Sequence, residues 1–190
     1  MSFLPKNYEV PASEGNYFKF EQGENRFRIM SKPILGMEYW VTDPKDKTKR
    51  LPKRVEMGVN IPVDEIEINP KTGREDLPKH FWAMVIWNYK LEKAQILEIT
   101  QKSIQRTLTG LSKDDDWGDP LSYDVVVEKT GEKLETEYQV RPKPKKEMDA
   151  GIVQMVKDMD IKLEVLFEGG DPFKPDKITD EDLQELAKKI

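Results

Sequence analysis

Aromatic side chains are concentrated in two short stretches of the sequence, and basic residues flank both. The rings in these stretches are those of Tyr39, Trp40, Phe81, Trp82, Trp87 and Tyr89. Unpaired nucleobases present flat π faces, and each base that stacks on an aromatic ring contributes about 1–3 kcal/mol whatever its identity. Rings beside cations are therefore typical of a surface that binds single-stranded nucleic acid.

Cations that could contact the phosphates of such a strand follow the first aromatic pair. Residues 43–54 contain six basic side chains against two acidic ones, and further lysines stand at the ends of residues 80–90. We predict that rings and cations form one binding site, with these members: Tyr39, Trp40, Lys45, Lys47, Lys49, Arg50, Lys53, Arg54, Lys79, Trp82, Trp87, Tyr89, Lys90 and Lys93. A second basic run, RPKPKK at residues 141–146, has four basic side chains and no acidic one.

The sequence offers little for catalysis or for metal binding. It has no cysteine, which excludes a disulfide scaffold, a thiol nucleophile and Cys-ligated zinc. His80 is the one histidine, so sites built from several histidines are excluded as well. The acidic run at residues 114–120, DDDWGDP, could bind Mg²⁺, but it also suits a turn, and no second carboxylate cluster matches it. We therefore predict a protein that is not an enzyme and needs no cofactor.

Composition and charge limit the class of protein further. The 190 residues are 37% hydrophobic and 35% charged, which allows one domain of ordinary size with a modest core. The formal net charge is −5, and residues 158–190 hold ten acidic against five basic side chains. The chain has no apolar stretch of about 18 residues, the length of a membrane-spanning helix, and its start lacks a secretory pattern. We expect a cytoplasmic protein that does not enter a membrane.

The alternation of apolar and polar residues predicts where the strands lie. We expect a bent first strand at residues 26–41 and two further strands at 80–90 and 94–100. A helix at 102–111 and two last strands at 122–129 and 134–141 should follow. Residues 43–78 are rich in proline and charge and are expected to form a long connection. The predicted organisation is an N-terminal arm (1–16), a main domain (17–145) and an acidic, helical C-terminal extension (146–190).

This order of elements predicts a mainly β fold. A helix between the third and fourth of five strands is the arrangement of the five-stranded OB-fold barrel, in which a bent first strand lets the sheet curl closed. The predicted fold is therefore an OB-fold barrel plus a C-terminal helical extension. SH3-like and split barrels would give a similar strand count and stay open as alternatives.

The strand at residues 80–90 has apolar side chains on both of its faces. With the two-residue period of a strand, Phe81 and Trp87 point to one face and Trp82 and Ile86 to the other. A small barrel buries one face of a strand, so the other must be exposed or covered by peripheral segments. The sequence leaves open which face is the core.

Three long stretches of the chain resemble single-stranded DNA-binding proteins encoded by tailed bacteriophages. They read KHFWAMVIWNYKLEKAQILEITQKSIQRTL, DDDWGDPLSYDVVVEKTGEKLETEYQVRPKP and DIKLEVLFEGGDPF, and FLPKNYEVP and GENRFRIM near the start add to the likeness. The resemblance covers nearly the whole chain. It implies an OB-fold and binding to unpaired DNA without strong sequence preference, in phage replication, recombination or repair in the cytoplasm of the infected host. Without cysteine, the chain lacks the zinc ribbon of larger phage helix-destabilising proteins.

The acidic C-terminal end suits the same family, whose members often recruit replication enzymes through acidic tails. By this resemblance we expect phage replication proteins to bind at Asp171, Pro172 and Phe173, unless Phe173 packs on the barrel and the last helix is solvated or forms oligomers. A different class of function also stays open. The aromatic barrel face would then dock a partner chain of the replication or virion machinery, since protein interfaces are also rich in Trp and Tyr.

Overall fold

A computed structural model describes residues 15–174, which form a mainly β structure. Its largest sheet has seven antiparallel strands: β1 (Gly23–Ile29), β2 (Ile34–Thr42), β3 (Arg50–Glu56), β6 (Lys79–Asn88), β7 (Lys93–Ile99), β8 (Asp124–Thr130) and β9 (Glu137–Pro142). The short strands β4 (Ile68–Asn69) and β5 (Arg74–Glu75) pair with each other. The helices are α1 (Lys102–Lys113) and α2 (Ala150–Asp158), with 3₁₀ turns at Val63–Glu65, Pro120–Ser122, Lys133–Glu135 and Leu163–Glu168. No helix among residues 15–174 is long and apolar enough to cross a membrane.

Strand β6 lies at the centre of the sheet. On one edge its C-terminal half pairs with β1 and its N-terminal half with β2, and its other edge pairs with β7. The predicted bent strand is therefore two strands, separated by residues 30–33 with Pro33 at the break. The sheet order is β3-β2-β6-β1-β8-β9, and within the described residues no ladder joins β7 to β9.

The expected long connection at residues 43–78 contains strand β3 and the short pair β4–β5, which the sequence did not predict. Strand β3 pairs with β2 over its whole length, from Gly36 opposite Glu56 to Thr42 opposite Arg50. Strand β3 is at the edge of the sheet and has a neighbouring strand on one side only. Proline has no N–H to donate, so Pro52 is tolerated at such an edge. Division of the bent strand and addition of β3 give seven strands instead of the expected five.

The residues at both ends of the described chain pack onto this sheet. Near the start, Phe18 N donates to Ile96 O (2.8 Å) and Ile96 N donates to Asn16 O (2.8 Å), so the chain runs along the edge of β7. Near the end, Asp149 caps α2 by accepting from the amides of Gly151 and Ile152. Residues 1–14 of the predicted arm and residues 175–190 of the predicted C-terminal extension lie outside the described residues.

Two apolar clusters lie on opposite faces of β6. The inner cluster contains Met84 and Ile86 from β6 and is covered by Ile104 and Leu108 of α1. The outer cluster contains Phe81, Ala83, Val85 and Trp87 from β6, with Ala94, Ile96, Leu163 and Leu166, and further side chains between residues 148 and 173 pack against it. Both faces of β6 are therefore core. We call residues 146–174 the C-terminal strap, since they cross the outer face of the sheet.

Candidate nucleic-acid interface

The five rings predicted to bind bases differ in how far they reach solvent. Trp87 is 5% exposed beneath the C-terminal strap, and Tyr39 is 2% exposed, with its hydroxyl donating to Glu65 Oε2 (2.6 Å). Trp82 and Tyr89 are half-buried. Trp82 Nε1 donates to His80 Nε2, and the Tyr89 hydroxyl donates to Asp124 Oδ1. Trp40 is 38% exposed. Of the five, Trp40 presents the largest open surface to a base.

The half-buried Trp82 is held by the single histidine. His80 Nδ1 donates to the carbonyl of Gly36 (2.9 Å), and His80 Nε2 accepts from Trp82 Nε1 (2.9 Å). This pattern requires a neutral imidazole with its proton on Nδ1, because a protonated Nε2 has no lone pair to offer. His80 therefore has a structural role on β6, where it joins Trp82 to the backbone of Gly36.

Three of the predicted cations, all on β3, pair with acidic side chains of other segments. Arg50 contacts Asp76 Oδ2 (2.5 Å), Lys53 contacts Glu65 Oε2 (2.5 Å), and Arg54 contacts Glu98 Oε2 (2.7 Å). Hydrogen bonds from Lys53 and Tyr39 lower the pKa of Glu65, in that order of effect, which keeps its charge in place. These cations mainly position β3 and the segment that follows it.

Arg54 is shared by two carboxylates under the C-terminal strap. Glu38 Oε2 lies 3.1 Å from Arg54 Nε and Glu98 Oε2 lies 2.7 Å from Arg54 Nη2, and all three side chains are largely buried. Burial raises the pKa of Glu38, and Glu98 adds to the rise, although Arg54 acts in the opposite direction. The guanidinium also lies 5.8 Å from the centroid of the Phe81 ring. The Arg54 guanidinium is thus occupied by two largely buried carboxyl groups of its own chain.

The remaining predicted cations are at the surface. Lys90 Nζ lies 2.5 Å from Glu21 Oε2, and Lys93 Nζ lies 3.5 Å from the carbonyl oxygen of Gly15. Lys49 is exposed and lies 3.2 Å from Asp46 Oδ2. Of the predicted cations, Lys45, Lys47 and Lys79 are exposed and have no ion pair within 4.0 Å among residues 15–174.

Trp40 and several of these lysines share one region of the β2–β3 hairpin. Trp40 lies opposite Pro52 on β3, and Lys79 lies opposite Glu38, two residues from Trp40 on the same face of β2. Residues that are diagonal neighbours on a sheet are within reach of long side chains. The loop that joins the two strands carries the other lysines. We define the hairpin surface as Trp40, Lys79, Lys45, Lys47 and Lys49.

The outer face of β6, which was expected to offer further rings, is covered by the C-terminal strap. Phe167 packs edge-on against Phe81, with ring centroids 6.1 Å apart. The proposed docking tip belongs to the same strap. Pro172 is buried with its carbonyl accepting from Lys162 N (3.1 Å), Phe173 packs against the outer cluster, and Asp171 is exposed. Phe173 thus packs on the sheet, as in the alternative that the sequence left open.

The acidic run at residues 114–120 forms a turn. Asp114 Oδ1 accepts from the amides of Asp116 and Trp117, and Asp119 Oδ1 accepts from Leu121 N (3.0 Å). Within residues 15–174 no three His, Cys, Asp or Glu side chains are placed to hold a metal ion.

Sequence reasoning missed the acidic partners of the basic run and the strap over β6. Glu65 and Asp76 lie in the segment between β3 and β6, and Glu98 lies on β7, so their contacts with Lys53, Arg50 and Arg54 depend on tertiary structure. The apolar side chains of residues 161–167 could have predicted the strap, because a helical segment with such residues must cover another apolar surface.

Comparison with known proteins adds no family. The chain matches no family model, no curated protein and no solved structure.

Proposed function

We propose that this protein binds single-stranded DNA without strong sequence preference, in phage DNA replication, recombination or repair in the host cytoplasm. The observation that carries the proposal is the exposed ring of Trp40 beside exposed lysines on the hairpin surface. One base would stack on Trp40 while Lys79 and the loop lysines contact the adjacent phosphates. Stacking tolerates any base, and phosphate contacts carry no sequence information.

The proposed fold is an OB-fold barrel with additions. In support, β1 and β2 together run along one edge of β6 as a single bent strand would, and α1 lies between β7 and β8 in the chain. Strand β8 pairs with β1, so that β1 lies between β6 and β8. Strand β3 and the C-terminal strap are the additions, and the strap limits the binding site to the hairpin end of the sheet.

The first experiment compares fluorescently labelled oligo-dT with duplex DNA of equal length in anisotropy titrations over a range of salt concentrations. We expect preference for the single strand and a linear fall of log K with log salt, of about 0.7 per phosphate contacted. The triple variant Lys45→Gln/Lys47→Gln/Lys49→Gln should reduce this slope by about 2. The control Lys102→Gln/Arg106→Gln, two exposed changes on α1, should leave the slope unaltered. Absence of oligo-dT binding, or equal affinity for duplex DNA, would refute the proposal.

A protein–protein interaction module of the replication or virion machinery is the second candidate. It is favoured by a concentration of exposed apolar side chains in and after the hairpin, namely Leu35, Leu51, Met57, Val59, Val63, Ile68 and Leu77. Exposed apolar groups that lie close together are typical of docking surfaces. Under this alternative, oligo-dT would not bind, and substitution of Leu51 or Val63 would weaken capture of a phage protein.

A further inference from the structure

The second basic run forms a fixed ridge at the β8–β9 end of the sheet. Its backbone is held at three points: Lys143 N donates to Asp124 O (2.8 Å), Lys146 N donates to Ser122 O (3.2 Å), and Arg28 Nη2 donates to Lys146 O (2.7 Å). The lysines Lys143, Lys145 and Lys146 are all exposed. None of the ion pairs within residues 15–174 involves them, so their charges are available on a segment of defined conformation.

This ridge forms one wall of an open groove of about 750 Å³. Its other lining residues include Leu121, Ser122, Met148, and Val153 and Gln154 of α2. Lys145 and Lys146 line the groove. The volume is within the range of about 300–1,000 Å³ that small-molecule sites occupy, so a nucleotide unit fits by size.

A buried cation lies at the base of the groove. Arg28 lines it with a side chain that is 3% exposed, and its Nε donates to Asp124 Oδ1 (2.7 Å). Asp124 also accepts from Arg26 (2.5 Å) and from the hydroxyl of Tyr89 (2.8 Å). Arg26 does not line the groove and its side chain is 51% exposed, but it shares this carboxylate with Arg28, so the two guanidinium groups and Asp124 together carry one excess positive charge.

Little negative charge opposes these cations. Among the described residues that line the groove, Glu147 is the one acid. Asp149 lies nearby, but its carboxylate is engaged by the amides of Gly151 and Ile152 as the cap of α2. Those amides are therefore occupied, and attraction of an anion depends on the side chains of Arg28, Lys145 and Lys146.

We propose that this groove binds a phosphate of the same unpaired DNA strand, with Lys145 and Lys146 contacting it and the adjoining base or sugar against Met148 and Val153. The inference rests on the proposed function and adds a second contact region. Lys143 continues the row of cations beyond the groove, which suits a chain of phosphates better than a single one. In the sheet order, β3 and β9 are at opposite ends, so the groove is separate from the hairpin surface.

The test is the salt dependence of oligo-dT binding, with a strand of about 30 nucleotides that can reach both regions. In Lys145→Gln/Lys146→Gln, loss of the one phosphate contact that the two lysines share should reduce the log–log slope by about 0.7. The matched control Lys102→Gln/Arg106→Gln makes the same charge change on α1. Glu147→Gln should increase affinity, since it removes the one acid among the described lining residues.

The outcomes separate this inference from the proposed function. Failure of the unmodified protein to bind oligo-dT refutes the proposed function itself. Binding that weakens in the hairpin triple variant, while the groove variant behaves like its control, refutes the second site alone. If each variant reduces the log–log slope, and the combined variant loses the sum of the two reductions, the proposed function and the second site are both supported.

A second measurement distinguishes a DNA phosphate from a free one. The amide NMR signals of residues 145–148 are followed during separate titrations with oligo-dT and with inorganic phosphate. We expect oligo-dT to shift them at far lower concentration, and excess inorganic phosphate to reverse part of that shift. Shifts with inorganic phosphate and none with oligo-dT would identify a site for free anions and overturn the inference.

Discussion

The ring of Phe167 lies against the backbone of Gly36, so close that a β-carbon on Gly36 would come within 2.9 Å of a Phe167 ring carbon. The same β-carbon would lie 2.7 Å from a Phe81 ring carbon and 2.4 Å from the carbonyl oxygen of Val55. Gly36 therefore allows the strap to approach β2 closely. The contact joins the C-terminal strap to the central sheet, where it covers the outer face of β6.

Gly36→Ala should destabilise the protein, because a clash with the Val55 backbone cannot be relieved by rotation of a side chain. Overpacking of this kind costs about 1–3 kcal/mol. Urea unfolding followed by circular dichroism measures the change. Gly110→Ala is the control, since its β-carbon meets no atom within 4 Å and lies in α1. Alanine favours a helix over glycine by about 1 kcal/mol, so Gly110→Ala should stabilise. Equal unfolding free energies for Gly36→Ala and the unmodified protein would show that the strap is not packed as described.

Asp124 should make stability fall in acid. Burial acts to raise the pKa of Asp124, but hydrogen bonds from Arg26, Arg28 and Tyr89 outweigh it, so the pKa lies below its ordinary value. A carboxyl with a lower pKa in the folded chain stabilises it above the unfolded value, about 3.9 for aspartate, and this stability is lost as pH falls through the folded pKa. Asp124→Asn should cost about 3–5 kcal/mol at neutral pH, because it leaves Arg28 buried without its carboxylate.

Urea titrations from neutral pH into acid check this expectation. Asp124→Asn should be less stable than the unmodified protein at neutral pH, and the two should converge in acid. The exposed Asp115→Asn serves as control and should follow the unmodified protein throughout. Parallel curves for Asp124→Asn and the unmodified protein would show that Asp124 makes no pH-dependent contribution.

Glu38 should lower the free energy of unfolding as pH rises, whereas Asp124 should lower it as pH falls. Its pKa is raised by burial, so the folded chain disfavours its charged form. Its contribution to stability is then greatest below the unfolded value, about 4.3 for glutamate, and is lost as pH rises through the folded pKa. Glu38→Gln should flatten the pH dependence of the unfolding free energy in this range. The exposed Glu56→Gln, on β3, should leave that dependence unaltered. A Glu38→Gln curve with the original slope would contradict the prediction.

The elements that could be predicted from sequence are those with a clear local pattern. Strands β6, β7 and β8 are apolar runs between turn residues, and α1 has apolar residues at helical spacing, so each was expected within a few residues of its position. Strand β3 has no such pattern, since Pro52 and charged residues interrupt it. Its pairing with β2 is a tertiary effect.

The candidate site was less predictable because its parts depend on contacts distant in sequence. Arg54 pairs with Glu98, 44 residues away in the sequence, and Lys53 pairs with Glu65. Trp87 was an equally good candidate as Trp40 by residue type. The difference between them comes from the C-terminal strap, which covers β6 and leaves the hairpin end of β2 exposed.

This difference between the two tryptophans gives a direct test of where bases stack. Trp40→Ala should weaken oligo-dT binding by about 1–3 kcal/mol without much loss of folding stability, because its ring is partly exposed. Trp87→Ala should instead lower the unfolding free energy by about 3–5 kcal/mol, since it opens a cavity under the strap. At a temperature where it is folded, its affinity for oligo-dT should be close to normal.

The matched control for Trp40→Ala is Leu35→Ala. Leu35 is also exposed on β2, but it points to the other face of the strand. Its truncation should leave oligo-dT affinity unaltered if bases stack on the Trp40 face. Anisotropy titrations of the three variants give the affinities and urea unfolding gives the stabilities. Normal affinity in Trp40→Ala, with weakened binding in folded Trp87→Ala, would mean that the strap opens and that DNA binds the outer face of β6.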